Sequence, residues 1–360
     1  MSPSHRGLSG WRRRATLGVL AVAGLTVSAC AADSLADDPY SRTILEATGD
    51  FPLPPGAFYD KASSRQPAAQ ANTPDLSTLA PEDQTPEERI PEIYQRGRII
   101  VGVDQSLNLL SFRDFSTGEL SGFEVSLAQE IARDIFGNPD AVEFRFVDSK
   151  ERTAALEDGT VDVVLRTMTV TDARREKVLF SAPYLTARAG VLVSSPNGEA
   201  SPEDVEDGRI CVSRGSTTED LIRRLSPNNT LLLVGNWSDC LIALQNNQAE
   251  IVVADDTILA GINDQDPATA IVQRDLSEES YAAGVSQKNP GLVRQINATL
   301  ERIASDGTWQ SLYDTWFGPF LPSGTQPVPQ YGEDENILGI APAPEAPLPE
   351  ATPEGEVNNR

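Results

Sequence analysis

The chain has 360 residues, enough for about two domains of ~100–200 residues each, and its 29 Lys+Arg against 53 Asp+Glu give a formal net charge of −24. That balance excludes the basic footprint of a nucleic-acid binder and any charge-driven docking on an anionic membrane. The one histidine, His5, lies in a basic N-terminal stretch, so the remainder has no imidazole for a triad, a His metal site or a His pH switch.

The N-terminus holds Arg6, Arg12, Arg13 and Arg14, and Ala15 to Ala29 are apolar or small. A basic region followed by ~7–15 apolar residues reads as a signal peptide over 1–29, too short to span a bilayer. It ends Val27-Ser28-Ala29-Cys30, which resembles the lipobox of bacterial lipoproteins. The resemblance implies that the Cys30 thiol takes a diacylglyceryl group and becomes the new N-terminus. Two acyl chains are what stable anchoring takes. Arg12 to Arg14 leave Sec and twin-arginine export both open. With Cys30 lipidated, Cys211 and Cys240 remain. An even pair in an exported chain reads as a disulfide, two buried free thiols being the alternative.

Residues 31–88 contain eight prolines, eleven acids and three bases, without sustained periodicity. Residues 322–360 contain eight prolines, seven acids and one base. The first reads as an acidic Pro-rich linker over 30–88, the second as a disordered tail. Between them, strands and helices alternate over about 89–321. Arg98 to Val103 reads as an apolar strand. Gly122 to Phe136 carries Phe123, Leu127, Ile131 and Ile135 at i, i+4 spacing, a helix face. Val142 to Val147 is a strand, Lys150 to Asp158 a helix and Val161 to Leu165 a strand. Arg209 to Val212, Leu231 to Val234 and Ile251 to Ala254 follow as strands. Helices over Thr218 to Leu225, Trp237 to Asn246 and Asp256 to Ile262 separate and follow them. Pro290 to Ala304 and Thr308 to Trp316 close the core as helices. Such alternation argues α/β with mainly parallel sheets, whose ligands sit at the carboxyl ends of strands. The positions after Val103, Leu165, Val212 and Ala254 are therefore the ones to examine.

Five blocks in those places carry a family resemblance. Gly122-Phe123-Glu124-Val125-Ser126-Leu127-Ala128 resembles the GFDVDLA signature of polar amino-acid solute-binding proteins, family 3. Asp158 to Asp162 is similar to that family's G-x-V-D. Thr169-Val170-Thr171-Asp172-Ala173-Arg174, followed by Phe180 to Tyr184, resembles its T-x-T-x-x-R. Gly215 to Glu219 resembles its GSTSE loop, and Ala254-Asp255-Asp256 its A-D-D strand end. Within the family the chain most resembles actinobacterial lipoproteins that bind glutamate, aspartate or glutamine. The resemblance implies a two-lobed type II periplasmic-binding fold. Lobe 1 would be 89–188 plus 282–321 and lobe 2 would be 189–281, with a two-segment hinge near Arg188-Ala189 and Ala282-Gly284.

The resemblance also implies a ligand set. A zwitterion leaves water only if each end meets an opposing charge and full hydrogen bonding. A guanidinium fork grips a carboxylate by two parallel bonds, and the motif puts Arg174 there. Thr169 and Thr167 would add donors. Ser216 and Thr217 precede a helix whose first amides favour an anion, though both also read as capping residues. Asp255 would accept from the α-ammonium, unless it or Asp256 merely caps the next helix. Where glutamine and basic amino-acid binders place aromatics, this chain has Leu107 and Ser149. Arg152 stands where acidic amino-acid binders carry an arginine, and Ser149 with Arg152 would suit a second carboxylate. Arg113 and Arg166 are further cations for it. Asp104 would repel that carboxylate unless an arginine neutralises it, so asparagine and glutamine stay open as ligands.

The expected function is thus a lipid-anchored receptor on the outer face of the cell membrane for glutamate or aspartate. It would be a monomer serving the membrane permease of an ABC importer, or alternatively a sensor read by a membrane protein coupled to kinase signalling. No catalytic group, cofactor or metal is expected. A dehydratase-type enzyme on the same fold is the remote alternative, with Asp104 and Asp255 as its only evident acid–base candidates.

Overall fold

The computed structural model describes residues 51–61, 73–195 and 208–339. The signal peptide, Cys30 and the end of the tail lie outside them. All elements named here belong to the compact unit Pro52–Arg360. None of the described helices is long and apolar enough to cross a membrane.

The architecture is α/β, two sheet halves joined into one ten-stranded sheet. In chain order, β1 (Phe58–Asp60) precedes two short helices, α1 (Pro86–Arg89) and α2 (Pro91–Arg96). Then β2 (Ile99–Val103) enters the first half. All five of its residues are buried, as in a parallel strand covered on both faces. A small three-stranded sheet follows, β3 (Ser106–Leu107), β4 (Ser111–Arg113) and β5 (Leu120–Ser121). Helix α3 (Phe123–Phe136) buries the expected row of Phe123, Leu127, Ile131 and Ile135. It starts at Gly122, where a Cβ would lie 2.2 Å from the Leu110 carbonyl oxygen and φ is +132°. Only glycine tolerates both. The half is completed by β6 (Val142–Phe146), α4 (Arg152–Glu157), β7 (Val163–Val164) and α5 (Asp172–Arg175), with β6 and β7 flanking β2 in parallel.

Next comes β8 (Val178–Ser194), a 17-residue strand that sequence periodicity does not reveal. The second half holds β9 (Ile210–Ser213), α6 (Thr217–Leu225), β10 (Leu231–Val234), α7 (Trp237–Gln245), β11 (Ile251–Asp255), α8 (Asp256–Gln265) and β12 (Thr269–Gln273). There β9 pairs in parallel with both β10 and β11. A disulfide, Cys211–Cys240, ties β9 to α7. The chain returns through β13 (Glu278–Ser286) to α9 (Pro290–Ser305) and α10 (Thr308–Trp316), which cover the first half, and ends in α11 (Asp334–Leu338). The antiparallel pairings concentrate on β8 and β13, so the sheet is mixed, with parallel runs in each half.

Two expectations change. The second crossing lies earlier than Ala282–Gly284. The Leu276 N–H donates to the Ala189 oxygen (2.9 Å) and the Ala189 N–H to the Ser277 oxygen (3.0 Å), so the strands cross there. Ala282 and Gly284 are already inside the first half, paired with Pro183, Phe180 and Val164. Gly284 serves packing: a Cβ would come within 2.8 Å of the Met168 sulfur. The second change concerns the expected linker and tail, which are folded in part. Strand β1 adds antiparallel to β10. Leu79 is buried in the main core. Thr78 and Tyr331 form a parallel bridge that joins the linker's end to the tail's start. Proline and acid content, averaged over long stretches, hides short apolar runs that find partners in the core.

Candidate functional site

A narrow cleft, with free room of only about 10 Å³, lies between the two halves. The first half lines it with Ser149, Arg152, Thr167, Thr169 and Arg174. The second supplies Ser216, Thr217, Trp237, Asp255 and Ile258. Eight of the eleven ligand residues expected from the sequence therefore converge there, and Asp104, Arg166 and Arg113 do not line it.

Arg174 is delivered by the one-turn helix α5, whose N-cap Thr171 accepts the Arg174 N–H (3.3 Å). Its guanidinium donates to the Thr169 carbonyl oxygen (2.6 Å) and, across the cleft, to that of Gly215 (3.0 Å). Burial pulls its pKa down, and Glu279, Asp220 and Asp255 pull it back. Ser216 is the N-cap of α6: its hydroxyl accepts the Glu219 N–H (3.1 Å) and donates to the Ser213 oxygen (2.7 Å). Thr217 opens that helix, its hydroxyl 3.5 Å from that of Thr169 in the other half.

Arg152 is turned to backbone. It donates to the carbonyl oxygens of Ser149 (2.7 Å), Arg166 (3.0 Å), Thr167 (2.9 Å) and Gly215 (3.2 Å). Among the described residues no carboxylate pairs with it. Burial, then the nearby Arg174 and Arg166, lower its pKa strongly. Arg166 and Asp104 are paired with each other at 2.5 Å, at 1% and 0% side-chain exposure. Asp104 also accepts the N–H groups of Gln105 and Ser106 and the Ser106 hydroxyl. Arg166 also donates to Ser149 and to Asn236 (3.0 Å). The acid that would repel a ligand carboxylate is thus neutralised inside the protein. Arg113, on β4, donates to the Gln105 side chain (3.1 Å) and the Gly118 oxygen (2.6 Å), outside the cleft lining.

Asp255 ends β11. One carboxyl oxygen accepts the Tyr281 hydroxyl, and the other is buried without a hydrogen-bond partner. Burial first, and then the charge of Glu279, raise its pKa to about 8. Asp255 holds the N-cap position of α8, but its side chain caps no amide; the neighbouring Asp256 accepts the Thr257 N–H at 2.8 Å and, from β8, the Arg188 N–H at 3.2 Å. Sequence reasoning missed Trp237 and Ile258. Trp237 follows β10, the one parallel-strand end of the second half left out of consideration, and it is 3% exposed. Among the described residues, no group of three or more His, Cys, Asp or Glu side chains could hold a metal.

This arrangement can hold a small zwitterion: a guanidinium and helix amides for its anion, and a buried free carboxyl oxygen for its cation. Residues 99–319 match the family model of bacterial extracellular solute-binding proteins, family 3. The chain belongs to that family. Among its curated relatives, the ABC transporter glutamine-binding protein GlnH of Bacillus subtilis is 29% identical over 234 residues, 65% of this chain and 86% of that one. The glutamate-binding protein GluB of Corynebacterium efficiens is 28% identical over 228 residues, 60% of this chain and 77% of that one. The crystal structure of a solute receptor for L-cysteine from Neisseria gonorrhoeae superposes with a TM-score of 0.60 at 25% identity, covering 64% of this chain and 94% of that one. Membership in family 3 gives the two-lobed solute-binding fold, in which the cleft lies between β8/β13-linked halves.

Proposed function

We propose that this family-3 protein is an extracytoplasmic receptor for an acidic amino acid, glutamate or aspartate. The observation that carries the reading is the charge of the cleft lining. Arg152 and Arg174 are the two cations there, and neither is hydrogen-bonded to a carboxylate. Asp255 is the one acid of the lining, and its raised pKa keeps it largely protonated at neutral pH. A ligand ammonium beside Asp255 favours its ionised form. The lining then carries one net positive charge, and a ligand with two carboxylates and one ammonium balances it. A glutamine zwitterion leaves that charge buried and uncompensated, which is costly at low dielectric. In this assignment Arg174 and the start of α6 take the α-carboxylate, and Asp255 takes the ammonium. Arg152 acts as a fixed field beside Ser149 and Thr167 rather than as a fork on the ligand.

The relatives' ABC-transporter and amino-acid-binding names support a role as the binding subunit of an importer, working with a membrane permease. The N-terminal motif supports attachment through a lipid on Cys30. The deciding experiment is a calorimetric and thermal-shift panel of amino acids on the mature chain. Glutamate and aspartate should bind with Kd of roughly 1–100 μM and stabilise by about 2.7 kcal/mol at a hundredfold excess over Kd. Stronger binding of glutamine or asparagine would overturn the acidic reading, and stabilisation by none of the four would overturn amino-acid binding itself. Loss of radiolabelled glutamate uptake on deletion of the gene supports the importer role; unchanged uptake would favour the sensing alternative. Labelling of the wild-type chain, but not of Cys30→Ser, by radiolabelled fatty acid tests the anchor.

A further inference from the structure

Glu124 is fully buried, in the first turn of α3, and takes no part in the ligand set. Its Oε1 accepts two donors at 2.6 Å, the Thr167 N–H and the Tyr184 hydroxyl, while Oε2 is buried without a partner. Thr167 lines the cleft and is β-branched, yet its φ is +43°, a left-handed conformation that side chains of this kind disfavour. The peptide unit between Arg166 and Thr167 is held at both ends. Its N–H goes to Glu124, and its carbonyl oxygen goes to Arg152, which also takes the next carbonyl, that of Thr167. Nothing in the regular sheet imposes this turn, because β7 ends at Val164. The carboxyl is itself positioned by close packing at Gly122 and by the Phe123 and Glu124 amides, which donate to the Leu109 and Leu110 oxygens at 2.9 Å. Tyr184 is fixed in turn, its carbonyl oxygen accepting the Trp309 indole N–H (2.8 Å).

We propose that Glu124 is a positioning residue for the amino-acid site: its carboxyl oxygen locks the Arg166–Thr167 peptide in the strained turn that aims two carbonyls at Arg152 and presents Thr167 to the cleft. The proposal rests on the ligand reading above, but half of its test needs no ligand. Glu124→Gln retains a carbonyl oxygen for both donors, whereas Glu124→Met keeps a similar volume and no acceptor. Two quantities are read on the mature chain: the glutamate Kd, and hydrogen-exchange protection of the Thr167 amide without ligand. Glu124→Met should weaken glutamate about 10–100-fold and expose the Thr167 amide, while Glu124→Gln stays within about 3-fold and keeps the amide protected. A folded Glu124→Met with wild-type affinity overturns the proposal, and so does equal loss in both variants. Should Glu124→Met fail to fold, an unprotected Thr167 amide in the wild type, or protection lost in Glu124→Gln, overturns it. If the wild type binds no amino acid, the function reading fails, and the amide measurement still judges Glu124.

Discussion

The two halves present opposite chemistry to one cleft. The first half supplies both guanidinium groups, held by backbone carbonyls. The second supplies the acid, a capped helix start and the apolar faces of Trp237 and Ile258. Among the contacts that already join them is the Gly215 oxygen, which accepts from Arg152 and Arg174 together. A carbonyl carries only a partial negative charge, so a ligand carboxylate is a better acceptor for the same donors. The difference between the halves teaches why, on the proposed function, capture would need both: a zwitterion needs a cation from one half and an anion from the other, so its contacts would stabilise the arrangement that brings the halves together.

The comparison breaks hardest at Arg174. Arg174→Ala should abolish binding of every amino acid, a loss of at least ~100-fold by calorimetry, because a desolvated ligand carboxylate would face no fork. The ligand-free melting temperature should move little, since only the Thr169 and Gly215 oxygens lose a donor. Arg152 should behave in the opposite way. Arg152→Met takes a donor from four carbonyl oxygens, of which that of Gly215 keeps Arg174, so the fold itself should lose about 3–5 kcal/mol in denaturant unfolding. A stable Arg152→Met that has merely lost its preference for glutamate over glutamine would show that Arg152 is a direct ligand contact after all.

Asp255 sharpens the contrast through pH. Its carboxyl, pushed up to about 8, must lose a proton to accept an ammonium. Glutamate affinity should therefore rise about 10-fold per pH unit from 6 towards 8, with a proton released on binding. Asp255→Asn should bind weakly and without that slope. The stability effect has the reverse sign. A group whose folded pKa is raised contributes stability below its unfolded pKa of 3.8 and loses it as pH rises through about 8. The groups that face it are Glu279, Tyr281, Asp256 and Arg152, so Glu279→Gln should lower the pKa and shift the binding profile to more acid pH. A flat affinity from pH 6 to 8 in the wild type would remove Asp255 from the ammonium.

Much of this cleft is legible in the chain itself, because the blocks around Thr169, Gly215 and Asp255 are local and place their side chains at strand ends. What each guanidinium touches is not local. The carbonyls that hold Arg152 point at it only because Thr167 adopts a left-handed turn, which in turn depends on Glu124 some forty residues earlier. The Asp104–Arg166 pair spans two strands, and sequence shows the need for neutralisation but not the partner. Trp237 hides because a tryptophan opening a helix reads as core. The long β8 hides because its burial is nearly continuous and shows no sustained alternation, with only Thr186, Arg188 and the terminal Ser194 exposed. The linker misleads by averaging: Phe58 to Asp60 is a strand inside a Pro-rich segment.

That strand supplies the smallest effect. β1 covers the edge of the second half's sheet through β10, a way of blunting an open edge. Asp60 fastens it to Arg223 (2.6 Å), which also holds Glu219 one helical turn away (2.7 Å). Both members of the Asp60 pair are largely shielded, at 18% and 14% side-chain exposure, so the pair stands at the upper end of what partly exposed bridges contribute. Asp60→Asn should cost no more than about 1 kcal/mol, and Arg223 keeps Glu219 as a partner. Hydrogen exchange should quicken up to about 5-fold in residues 58–60 and 231–233 and nowhere in the first half. Glutamate affinity should stay unchanged, because the pair lies on the far side of the second half's sheet path from β8 and β13. An affinity change in Asp60→Asn would mean that β1 reports on the cleft, and the two halves would then be coupled through the sheet edge as well as through the ligand.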